Sequence, residues 1–134
     1  MIYFDSDVWV HYFFFQDPAK QTLAVQKIRS AATLNQVTVS LLCLQEVSFV
    51  LSKLGTPKSD VNRALTFLKA LAPLPVTLLN FQKAETFAQS IGFQNINDCI
   101  HTAIAEVNCT ELVTFNHSDF KRIQPLTNLK ITLL

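Results

Sequence analysis

Four acidic residues stand where the local pattern of this chain changes, and carboxylates at such places are candidates for metal chemistry. Asp5 follows the β-prone run Ile2-Tyr3-Phe4, and Glu46 lies inside an apolar helical pattern. Asp98 opens another helical pattern, and Asp119 follows the strand-like run Glu111 to Phe115. Carboxylates brought together without a partner repel, and a hard divalent cation removes that cost. Oxygen-only ligands favour Mg2+ or Mn2+ over zinc. Each acid also has a plain structural reading. Ser6 or Asp7, behind Asp5, can cap the helix that follows, and Asp98 and Asp119 can cap theirs. Glu46 can be an ordinary solvated helix glutamate.

The elements that must position these acids alternate between strands and helices. Strands are predicted for the first residues, for Val37-Thr38-Val39, for Val76 to Leu79, for Glu111 to Phe115 and for Lys130 to Leu134. Val8 to Phe15 reads as a short helix buried nearly all round. Asp17-Pro18 opens the next helix as N-cap and first helical residue. Ser40 caps a helix that runs to Leu54 and closes at Gly55; others run from Ser59 to Leu71, from Phe81 to Ile91 and from Asp98 to Val107. This alternation specifies an α/β sandwich with a central, mostly parallel sheet flanked by helices. In such sheets, strand carboxyl ends and helix amino ends face one side, and ligands bind there. Residues far apart in sequence therefore converge on one edge.

Composition narrows the functional classes. The 134 residues are 49% hydrophobic and 16% charged, which suits one core-rich domain, expected over 1–134. The net charge of +1 excludes a global nucleic-acid-binding signature, so any polyanion must meet a local patch. Cys43, Cys99 and Cys109 are odd in number and fall in apolar patterns, as reduced core thiols do. Neither a signal peptide nor a membrane span is recognisable, and a cytoplasmic protein is expected.

Taken jointly, the segments FDSD (4–7), SLLCLQE (40–46), NDCIHTAIA (97–105) and LVTFNHSDF (112–120) resemble the PIN-domain family, and within it the VapC-type toxins of toxin–antitoxin pairs. They occur in the family's order across almost the whole chain. The resemblance implies a metal-dependent endoribonuclease whose acids correspond to Asp5, Glu46, Asp98 and Asp119. A bound Mg2+ or Mn2+ would activate a water for hydrolysis of an RNA phosphodiester, leaving 5′-phosphate and 3′-hydroxyl ends. A homodimer silenced by a small antitoxin is implied as well. One position departs from the pattern: Asn116, in Thr114-Phe115-Asn116, stands where the family usually carries an aspartate. An amide can coordinate through its carbonyl but adds no charge.

Further residues surround these acids. Ser6 and Thr114 can hydrogen-bond a carboxylate or phosphate. Lys53, Lys121 and Arg122 can form a basic rim for RNA phosphates. His101, one helical turn beyond Asp98, reads chiefly as a hydrogen-bonded packing residue, and His11 as structural; His117 can be a general acid or ligand. Two other functions compete. The D-x-D of Asp5-Ser6-Asp7 also fits a phosphatase of the haloacid-dehalogenase type, but neither Gly55 nor Gly92 precedes the late acid that chemistry needs. A degenerate PIN domain that binds RNA or a protein without cutting draws its support from Asn116.

Overall fold

A computed structural model describes residues 1–134. Its centre is a four-stranded sheet built from β1 (Ile2–Phe4), β2 (Val37–Thr38), β3 (Glu111–Thr114) and β4 (Lys130–Leu133). The order is β2-β1-β3-β4 and every pairing is parallel. Tyr3, Phe4, Leu112 and Val113 are buried, as strands covered on both faces require. The helices are α1 (Ser6–Phe13), α2 (Pro18–Thr33), α3 (Leu41–Lys53), α4 (Lys58–Lys69), α5 (Leu78–Ile91), α6 (Ile96–Asn108) and α7 (His117–Ile123). Helix α1 packs against α2 and α3, α3 against α4, and α5 and α7 against α6. One apolar cluster of 29 buried residues runs continuously from these helices through the sheet.

Local chemistry accounts for most boundaries. The Asp17 carboxylate accepts from the Ala19 and Lys20 amides at 3.1 and 3.2 Å, and Pro18 follows as first helical residue. Ser40 Oγ accepts from the Cys43 amide at 3.2 Å and opens α3. Gly92, with φ of 106°, closes α5. The aromatic run is less buried than its composition suggests. Trp9 is fully enclosed by Phe4, Tyr12, Phe13 and Phe67, but α1 ends at Phe13 and Phe15 faces solvent.

The predicted strand at Val76–Leu79 does not form. Thr77 Oγ1 accepts from the Asn80 amide at 3.1 Å, and the Asn80 side chain accepts from the Thr77 amide at 3.0 Å. This reciprocal cap starts α5 at Leu78, two residues inside the β-prone run. A single parallel bridge, Ser40 to Leu74, is all the sheet-like pairing in that region.

Replacing the α2 cap, Asp17→Ala, should lower stability by about 1 kcal/mol. The urea midpoint should fall with an unchanged slope. An unchanged midpoint would mean that Pro18 alone sets the start of α2.

Candidate active site

Asp5 is the first residue beyond β1, where the register sets Phe4 against Val113. Its amide donates to Val113 O at 3.0 Å, and Thr114 Oγ1 donates to its Oδ2 at 2.8 Å. The Ser6 amide donates to Asp5 Oδ1 at 2.7 Å, so Asp5 itself is the N-cap of α1, not Ser6 or Asp7. The residue is 5% exposed. Asp7 Oδ2 accepts from the Phe115 amide at 3.1 Å, while its Oδ1 is enclosed without a partner.

Glu46 arrives from α3. Its Oε2 accepts from Ser6 Oγ at 2.5 Å and from His101 Nε2 at 2.9 Å, and its Oε1 from Asn97 Nδ2 at 2.9 Å. Asp98 arrives from the first turn of α6 and Asp119 from the first turn of α7. Asn116 joins these two. Its Oδ1 accepts from the Asp119 amide at 3.3 Å and from Ser118 Oγ at 3.2 Å, which makes Asn116 the cap of α7 in place of Asp119. That orientation turns Nδ2 toward Asp119 Oδ2, at 2.9 Å, and Asp98 Oδ2, at 3.5 Å.

Asp5, Ser6, Asp7, Glu46, Asp98 and Asn116 line one open cleft, with an apolar wall from Val10, Phe49, Val50 and Leu54. Asp119 is not among its lining residues and reaches it through Asn116. The expected basic rim is largely absent. The Arg122 guanidinium donates to the Ile91 carbonyl at the end of α5, satisfying a helix terminus instead. Lys121 is exposed and outside the cleft lining. Lys53 lies 5.3 Å from the Phe49 ring and is the one rim cation that touches a cleft residue. His117 pairs with the Leu134 carbonyl, and His11 packs edge-on against Phe115.

The ionisation pattern follows from desolvation and crowding. Burial pushes Asp98 up to about 7, with the charges of Asp5, Asp119 and Glu46 adding to it and His101 opposing. Burial, then Asp5, pushes Asp7 up to about 8. Burial also presses on Glu46, but the His101 hydrogen bond and charge, with Ser6 and Asn97, hold it below the usual carboxylate range. The donor set suits a hard divalent cation. Asp5, Glu46 and His101 each present a ligand atom within 4.8 Å of the others, and the raised Asp98 marks negative charge in need of a counter-ion. An ionised carboxylate has no hydrogen to give, so His101 Nε2 is the donor in its 2.9 Å contact with Glu46, which leaves oxygens as the available ligands.

Local pattern located the acids but not Asp7, Asn97 or His101 as members of the constellation. A buried tyrosine on β1 was the available clue to His101, because its hydroxyl requires a partner.

The raised pKa values carry a stability prediction. Folding lifts Asp7 and Asp98 from 3.8, so the folded protein holds protons that the unfolded chain releases. Their contribution is complete below pH 4 and is lost as pH rises through about 7 to 8. In EDTA at pH 8, Asp98→Asn should therefore be more stable than wild type by on the order of 1–2 kcal/mol, allowing for partial solvent screening. Thermal melts at pH 8 and pH 5 check this, the gain shrinking at the lower pH. A variant less stable at pH 8 would show that Asp98 is held by favourable contacts.

Comparison with known proteins agrees with this architecture. No curated protein matches the chain at a significant level. Among solved structures, a chain of the VapBC2 complex from Rickettsia felis, bound to a DNA fragment from their promoter, superposes with a TM-score of 0.74. That match covers 100% of this chain and 99% of the other at 21% identity, and at that identity it speaks for the fold. The PIN domain family profile matches residues 2–125. With the profile spanning nearly the whole chain and the acids gathered at the sheet's carboxyl edge, the protein belongs to the PIN domain family.

Proposed function

We propose that the cleft hydrolyses RNA phosphodiester bonds with one Mg2+ or Mn2+ ion held by Asp5, Glu46 and Asp98. The observation that carries this reading is their convergence, from β1, α3 and α6, on a cleft where burial and crowding push Asp98 up to about 7 despite the opposing charge of His101. A divalent cation bound there would lower the pKa of an attacking water and offset charge on the phosphate. The protein's own groups orient its ligands. Thr114 and the Ser6 amide fix Asp5, and Ser6 Oγ and His101 fix one oxygen of Glu46. Oε1 of Glu46 is held only by the exposed Asn97, a contact readily exchanged for an ion. Asp119 acts through Asn116, and Lys53, beside Phe49, is the cation best placed to meet an RNA phosphate.

Asn116 supports a single ion. Its carbonyl oxygen is committed to capping α7, and its NH2 group faces Asp98 and Asp119, where a second cation would require an oxygen ligand. The same observation supports the second reading, a PIN domain that binds RNA or a protein without cutting. The toxin role, with a small antitoxin as partner, rests on the structural likeness to a VapBC complex. Homodimer formation finds support in the exposed Leu78 and Leu79 on α5 and Val107 on α6. No helix is long and apolar enough to cross a membrane.

Purified protein should cleave a mixed small-RNA pool with Mg2+ or Mn2+ and not with EDTA. Asp5→Asn should reduce the rate by more than about 100-fold. RNA binding without cleavage in either metal would favour the binding module. Mn2+ titrations should give one ion per chain for wild type and a second for Asn116→Asp; two ions in wild type would refute the capping argument.

A further inference from the structure

Behind the cleft lies a chain of polar groups that ends on one of the proposed ligands, Glu46. Ser40, Tyr3 and His101 are each 0% exposed, and His101 Nε2 also lies 3.5 Å from Asp5 Oδ1. Tyr3 Oη lies 2.6 Å from Ser40 Oγ and 2.7 Å from His101 Nδ1, and His101 Nε2 lies 2.9 Å from Glu46 Oε2. The chain is anchored at both ends. Ser40 Oγ accepts from the Cys43 amide as the cap of α3, the helix that carries Glu46. Tyr3 precedes Asp5 by two residues on the β1 side, and His101 follows Asp98 by one turn on α6. One hydrogen-bonded line therefore ties together the three elements that deliver the acids.

We propose that His101 is a positioning residue for Glu46, and not a metal ligand, with Tyr3 and Ser40 as its support. The proposal rests on the metal-dependent reading above. The position of the hydrogen carries it. An ionised carboxylate has none to give, so the imidazole nitrogen facing Glu46 is N–H in either protonation state. To ligate a cation, Nε2 would have to abandon Glu46, and Nδ1 is already committed to Tyr3. His101 is also absent from the cleft lining, behind Glu46. Oε2 is thus held from behind by His101 and Ser6, leaving Oε1 as the ligand atom.

Mn2+ affinity, measured on wild type, His101→Leu, His101→Gln and Tyr3→Phe, tests this. His101→Leu should weaken binding roughly 10- to 100-fold. His101→Gln places an amide NH2 near the lost Nε2 and should recover most of that. Tyr3→Phe, which removes one oxygen, should cost roughly 3- to 10-fold. In long-range 1H–15N spectra the His101 Nε2 hydrogen should persist when Mg2+ is added. Loss of that hydrogen on Mg2+ addition would make His101 a ligand and overturn the proposal. Wild-type affinity in a folded His101→Leu protein, or equal losses in the leucine and glutamine variants, would overturn it too. If His101→Leu does not fold, unchanged affinity in Tyr3→Phe does the same. A wild type that binds no Mn2+ removes the nuclease reading itself, and this inference with it.

Discussion

Mutual repulsion among carboxylates at one sheet edge is the constraint that orders the rest of this molecule. Two unit charges about 5 Å apart repel by roughly 3 kcal/mol at an effective dielectric of about 20. A hydrogen bond to a charged group returns about 1.5 to 3 kcal/mol. One or two donors per acid are therefore needed to offset one like-charged neighbour. Asp5 has Thr114 and the Ser6 amide, and Glu46 has Ser6, His101 and Asn97. Asp98 has a single 3.5 Å contact from Asn116 and is pushed up to about 7. Donor supply thus helps to separate Glu46, held below the usual carboxylate range, from Asp98, which is pushed up.

Asn116 shows how one substitution changes the character of such a site while leaving the fold alone. As the cap of α7 it satisfies the same backbone amide an aspartate would. Its other face becomes a donor, and it bridges two acids that would otherwise confront each other directly. The local fold gains a neutral brace where an aspartate would have added another negative charge.

Much of this arrangement was legible in the sequence because its signals are local. Asp17-Pro18, Ser40 and Gly92 mark their boundaries by side-chain chemistry within a turn, and parallel topology then places Asp5, Glu46 and Asp98 on one edge without knowledge of any contact. Val76 to Leu79 misled because β-propensity is a weak preference, and the Thr77–Asn80 cap outweighs it. Asp119 read as a cap because the true cap, Asn116, sits only three residues away. The Tyr3–His101 pair spans 98 positions and leaves no periodic trace. Such cross-chain pairings are decided by packing and lie beyond pattern reading. Arg122 escaped for the same reason, its partner being a backbone carbonyl on another helix.

The enclosure of Trp9 has an optical consequence. It is the single tryptophan in the chain, it is fully buried among aromatic rings, and its indole N–H has no hydrogen-bond partner. It also belongs to the short helix that Asp5 caps. Indole emission shifts to the blue in apolar, rigid surroundings and to the red in water. Intrinsic fluorescence therefore reports the integrity of α1 against α4 and the sheet from a single residue, without a label, in the same helix that starts at the cleft.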